Sequence, residues 1–178
     1  GTGTGILALM MAQRFEHAAI TAIELNQDAY NQALDNVSES NYANQLTVIK
    51  ANIIEFAELS EEQYDSIICN PPYFNGSFKP EDEGRNTARH EMGLNTDSLL
   101  RCVQKLLKDS GTFSVIYPFT KMDEVLSLAE CYNLSAQRIL KIYPTEKKEC
   151  NRVCLELVKG DVNYTVKKLL IRTGGSYT

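Results

Sequence analysis

No apolar run in the 178 residues approaches the roughly 20 that a membrane span requires, and no signal-peptide pattern opens the sequence. The five cysteines, Cys69, Cys102, Cys131, Cys150 and Cys154, form no CxxC pair and are odd in number. That speaks against a zinc site and a disulfide framework, and reduced, structural thiols in a cytoplasmic protein are the expectation. There is no excess of basic charge either: 18 Lys and Arg against 23 Asp and Glu give a formal charge of -5. Such a balance argues against coating nucleic acid by bulk electrostatics, while leaving room for an enzyme with a local basic rim. Internal repeats, low-complexity tracts and linkers are also missing. At this length and with 43% hydrophobic residues, a single domain spanning 1–178 with a full core is expected.

What is there reads as alternating helices and strands. Ile6 to Phe15 has a compact helical pattern, and Ala18 to Leu25 reads as a buried, β-branched strand. Asn26 caps a helix to Ser38 with Ala29, Ala33, Leu34 and Val37 inward. Leu46 to Ala51 is a strand, Ile53 to Leu59 a short helix and Tyr64 to Cys69 a strand that stops at Pro71-Pro72. From Phe74 to Asn95 no periodicity survives, over a length too great for an idle connection. Thr96 or Asp97 then caps a helix to about Lys108, with Leu99, Leu100, Val103, Leu106 and Leu107 inward. Gly111 ends it, Thr112 to Tyr117 is a strand and Lys121 to Tyr132 a helix. Strands follow at Ala136 to Tyr143, Arg152 to Val158 and Val166 to Arg172. This order predicts an α/β fold with a doubly wound, mostly parallel sheet and an antiparallel C-terminal edge.

Gly1-Thr2-Gly3-Thr4-Gly5 opens the first helix, and glycines in such a turn let a ligand approach the backbone. Glu24 closes the next strand, 19 residues after Gly5, where a carboxylate can accept from both ribose hydroxyls of a nucleoside. A solvated strand end is the other reading of Glu24. The GxGxG spacing suits a nucleoside without phosphates better than a dinucleotide. Asn52, with Ile53 beside it, stands where it could hold the base or simply form a turn. Because the sequence begins at Gly1, inside a turn that normally follows a buried strand, an N-terminally shortened piece lacking that strand is expected.

Asn70-Pro71-Pro72-Tyr73 is the most informative segment. Asn70 ends a buried strand, where ligands bind in open α/β sheets, and two prolines fix the backbone after it. The Asn70 side-chain oxygen and the Pro71 carbonyl can converge as paired acceptors. They would hold both hydrogens of an exocyclic amine and free its lone pair to attack a methyl sulfonium. That is positioning and electrostatic catalysis, without a metal or a strong base. Tyr73 offers a face for a planar base, a contact worth about 1–3 kcal/mol. A base in a duplex must be flipped to reach such a loop.

With those residues in order, the sequence resembles class I methyltransferases over nearly its whole length. GTGTG looks like their S-adenosylmethionine loop, Glu24 like their ribose acid, Asn52 like their adenine contact and NPPY like their amino-methylating motif. Phe74, the Ala88-Arg89-His90-Glu91 run, Lys147 through Leu157 and Gly175-Ser176-Tyr177-Thr178 resemble the tRNA1(Val) adenine-N6 methyltransferases. The resemblance implies methyl transfer from S-adenosylmethionine to N6 of an adenine beside a tRNA anticodon. Gly1, Gly3, Gly5, Glu24, Asn52, Ile53 and Asn70 would hold the cofactor, and Asn70, Pro71, Pro72 and Tyr73 would catalyse. Phe74, Lys79, Arg85, Arg89 and His90 would meet RNA, unless these are solvated loop charges. Lys147, Lys148 and Arg152, and then Lys167, Lys168 and Arg172, form further basic clusters. A monomer without metal is expected. Glutamine-N5 methyltransferases of release factors share close variants of NPPY, and a non-catalytic scaffold binding cofactor or RNA is a third reading.

Overall fold

The computed structural model describes residues 1–72, 94–173, 176 and 177. The chain divides into two compact units, Gly1–Glu61 and Glu62–Thr178.

In the first unit, α1 (Ile6–Arg14), β1 (Ile20–Glu24), α2 (Gln27–Ser38), β2 (Leu46–Lys50) and α3 (Ile53–Leu59) alternate, and β1 pairs in parallel with β2. Asn26 caps α2 by accepting from the Ala29 N–H, as its short polar side chain predicts. The core is built of small side chains: Ala8, Ala12, Ala22, Val37 and Leu46 cluster, with Leu9, Ile20, Tyr42 and Val48 packed against them. Ala33 and Val37 face inward on α2 as expected, but Leu34 is 38% exposed, so the buried stripe is narrower than the sequence suggests.

The second unit contains β3 (Tyr64–Cys69), α4 (Thr96–Leu106), β4 (Leu107–Pro118), α5 (Met122–Glu130), β5 (Leu134–Thr145), β6 (Arg152–Lys159), β7 (Thr165–Thr173) and β8 (Ser176–Tyr177). Its sheet runs β3-β4-β6-β5-β7-β8. The β3–β4 and β5–β7 pairs are parallel. The β4–β6, β5–β6 and β7–β8 pairs are antiparallel. Two strands thus run against β3, β4, β5 and β7: β6, inserted between β4 and β5, and the short β8 beyond β7. Consequently the C-terminal ends of β3, β4, β5 and β7 and the start of β6 share one sheet edge, the edge at which open α/β sheets take ligands.

Two boundaries differ from expectation. Asn95, not Thr96 or Asp97, caps α4, in a reciprocal capping box with Ser98. Gly111 does not end that helix. The chain passes from Leu106 directly into β4, and Gly111 lies within it because a Cβ there would meet Leu107 Cδ1 at 2.8 Å. One face of the sheet buries Phe113, Val115, Tyr117, Val153, Leu155 and Leu157 against α4 and α5 through Leu99, Leu100, Val103 and Val125. Each fully buried large side chain contributes about 1.5–3 kcal/mol.

Candidate active site

The glycine turn is stitched to its unit by a series of polar ties. The Thr2 N–H donates to Ile23 O at 2.7 Å at the end of β1, and Asn36 Nδ2 on α2 donates to Thr4 O at 2.8 Å. The Gly3 N–H donates to Glu24 Oε2 at 2.7 Å. Glu24 Oε1 accepts from the backbone N–H groups of Leu25 and Asn26 at 3.0 and 2.8 Å. Glu24 is the one buried charged residue among the described residues, 8% exposed, and its burial is possible because backbone dipoles satisfy it. It is therefore more than a strand end: the same carboxylate that could meet a ribose holds the turn in shape. Sequence reading did not single out Asn36, whose role depends on where α2 packs.

Gly3 and Gly5 adopt φ of +61° and +81°, the left-handed region that disfavours side chains. A Cβ on Gly5 would press on Ala33 at 3.3 Å, so that glycine lets α1 and α2 approach. A Cβ on Gly3 would meet nothing within 4 Å, so open space lies over the turn's middle. A side chain at Gly1 would run into the Glu24 carboxylate. A carboxylate has about four lone-pair sites, and the backbone takes one on Oε2 and two on Oε1. One acceptor site on Oε2 is left for a ligand hydroxyl, beside the open face of Gly3. This donor and acceptor set fits the sugar end of S-adenosylmethionine. Asn52 caps α3, its Oδ1 accepting from the Ile54 N–H at 2.9 Å, with Ile53 next to it as the first helical residue. The second lone pair of that oxygen remains open to a base amine.

In the second unit, β3 delivers Asn70 to the sheet edge. Cys69 is paired with Val115, Asn70 is exposed beyond it and Pro71 is buried, so the backbone is anchored just past the strand end. Thr96 at the start of α4 accepts from the Tyr117 hydroxyl at 3.2 Å, tying the helix to the end of β4. Burial pushes the Tyr117 phenol above its ordinary pKa, opposed by that hydrogen bond. Burial likewise pushes the Cys69 thiol up, which makes it a poor nucleophile and fits the reading of a structural residue. His17 lies in an exposed turn. Tyr73, Phe74, Lys79, Arg85, Arg89 and His90 fall outside the described residues. Among the described residues, no group of three or more His, Cys, Asp and Glu is placed to hold a metal ion, and no helix is long and apolar enough to cross a membrane.

Comparison with known proteins bears on the family and the fold. A tRNA1(Val) (adenine(37)-N6)-methyltransferase of Vibrio parahaemolyticus is 36% identical over 178 residues, all of this chain and 74% of that protein. A crystal structure described as a predicted O-methyltransferase from Agrobacterium tumefaciens superposes with a TM-score of 0.78 at 20% identity, covering all of this chain and 82% of that one. A glycopeptide N-methyltransferase complexed with S-adenosyl-L-methionine follows with a TM-score of 0.64 at 11% identity, covering 90% of this chain and 79% of that one. The last two establish a shared methyltransferase fold. Residues 1–131 match the family described as the methyltransferase small domain, and the chain belongs to that family.

Proposed function

We propose that this protein transfers a methyl group from S-adenosylmethionine to the exocyclic N6 amine of an adenine in tRNA, beside the anticodon. The observation that carries the reading is the exposed Asn70 followed by buried Pro71 at the ligand-binding edge of β3, in a chain of this family. The 36% identity to a tRNA1(Val) (adenine(37)-N6)-methyltransferase supports tRNA as the substrate class.

When bound, S-adenosylmethionine supplies an electrophilic methyl group on a sulfonium. Glu24 and the Gly1, Gly3 and Gly5 turn would hold its sugar, and Asn52 and Ile53 its adenine. The Asn70 amide oxygen and the Pro71 carbonyl accept the two N–H groups of the target amine. Held that way, the nitrogen lone pair is less delocalised into the ring and available to form the new N–C bond. After transfer the methylated nitrogen releases its extra proton to water, so no general base is required. Pro71 and Pro72 keep the acceptors from reorganising, and Tyr73 stacks on the base. Phe74, Lys79, Arg85, Arg89 and His90 belong to the RNA side of this proposal. A cytoplasmic monomer in one catalytic domain completes it, in keeping with a tRNA substrate.

The test supplies methyl-labelled S-adenosylmethionine with bulk tRNA in one reaction and a release factor in another. Label recovered as N6-methyladenosine from tRNA is expected, and Asn70→Ala should lower transfer by about 100- to 1000-fold, as for a lost electrostatic acceptor. Label on release-factor glutamine, or normal turnover by the Asn70 variant, would overturn the assignment.

A further inference from the structure

Lysine ammonium groups on a protein surface ordinarily sit in water or pair with carboxylates. Two in the second unit lie over aromatic rings instead of against a carboxylate. Lys141 Nζ on β5 lies 5.3 Å from the centroid of the Phe119 ring, and Lys168 Nζ on β7 lies 4.4 Å from that of Tyr143. Among the described residues, none of the ion pairs involves either lysine. A ring fixes the direction of an ammonium without cancelling its charge, so both cations are held in place and remain uncompensated.

Their position follows from strand register. Cys69 pairs with Val115 where β3 ends. Two residues further along β4, one row crosses the sheet from Tyr117 to Val153 to Lys141 to Lys168. Partners in a row project from the same face, so Lys141 and Lys168 stand side by side at the level where the chain leaves β3 into Asn70-Pro71. Lys168 lies four strand spacings from β3, on the order of 19 Å. Phe119 is pinned there by its N–H donating to Asn151 O at 3.1 Å in the β5–β6 connection. Strand alternation puts Arg172 on the Lys168 face and Lys167 on the other. The charge around the pair is local: residues Arg138 to Arg172 hold nine Lys and Arg against four Asp and Glu, in a chain with a net charge of -5.

We infer that Lys141 and Lys168 form a backbone-binding platform for phosphates of the RNA strand that carries the target adenine, guiding that strand toward the Asn70 loop. The ammonium groups cover the faces of Phe119 and Tyr143, so the contact is to phosphate and not to bases, and it is independent of sequence. This inference rests on the tRNA reading above.

The whole protein, the Lys141→Ala/Lys168→Ala variant and the Lys141→Arg/Lys168→Arg variant are compared for tRNA binding across a salt series. The alanine pair should raise Kd for tRNA about tenfold near physiological salt. It should also lower the slope of log K on log salt by about 1.4, two single-strand phosphate contacts at about 0.7 each. The loss should fall on KM for tRNA and leave affinity for S-adenosylmethionine unchanged, and the arginine pair should restore most of it. An unchanged slope, an arginine pair as weak as the alanine pair, or polyglutamate competing as well as RNA of equal charge would overturn the platform. Unmutated protein that methylates tRNA while the slope is unaffected by the substitutions sinks the platform alone. Unmutated protein that leaves tRNA unlabelled sinks the tRNA reading and the platform together.

Discussion

The two units hold themselves together differently. The first packs alanines, with Ala8, Ala12, Ala22, Ala33 and Ala57 all buried, around a turn fixed by backbone donors on one carboxylate. The second packs Phe113, Leu100, Leu107, Leu134, Leu155 and Leu157 with almost no exposure, on a six-stranded sheet. Charge divides in the same way. Residues 1–61 carry two Lys and Arg against eight Asp and Glu, a net -6, whereas residues 62–178 carry 16 against 15, a net +1. The lesson is that small side chains let backbone segments approach closely, while large ones make a stiff sheet whose edge can present an amide and cations. The whole-chain charge conceals the second property.

The largest expected effect tests whether the large-residue core is separate. Phe113→Ala should cost about 3–5 kcal/mol, read as lost hydrogen-exchange protection in β4 and β6 with β1 and β2 amides unaffected. Equal loss in β1 and β2 would show that the units share one core and would break the comparison. Next, Glu24→Gln replaces an acceptor with an amide donor facing a backbone N–H. Calorimetry should show cofactor affinity falling roughly 10- to 100-fold, at about 1.5–3 kcal/mol for hydrogen bonds to a charged group. Unchanged affinity would remove Glu24 from the site and leave it only a structural role.

Gly5→Ala should cost about 1–2 kcal/mol, because its φ is +81° and the new methyl would press on Ala33. A stabilised variant would mean that the turn is not held as described. The smallest effect is alkaline. Because the folded Tyr117 phenol has a raised pKa, its contribution is fully present below the unfolded value of about 10 and is lost as pH rises through the folded one. Tyr117→Phe should therefore flatten the alkaline slope of the unfolding midpoint, and an unchanged slope would mean that the phenol is not meaningfully buried.

Much of this was legible in sequence. α3 and β3 begin and end where periodicity and the prolines place them, and Asn26 caps α2 as expected. The misreadings were local competitions. Asn95 beat Thr96 and Asp97 for the cap because only it exchanges bonds with Ser98, and Gly111, expected to end that helix, lies within β4 packed closely on Leu107.

By itself the sequence determined the alternation of helices and strands, the glycine turn, the acid that follows it and the Asn-Pro-Pro loop, because each depends on neighbours a few residues away. Only tertiary structure decided that β6 inserts between β4 and β5, that three backbone donors hold Glu24 and leave one acceptor site on Oε2, and that Lys141 and Lys168 stand in one row across the sheet at the level of Asn70-Pro71. Those are matters of pairing between distant segments, and strand register and ring–cation contacts leave no periodic trace in the order of residues.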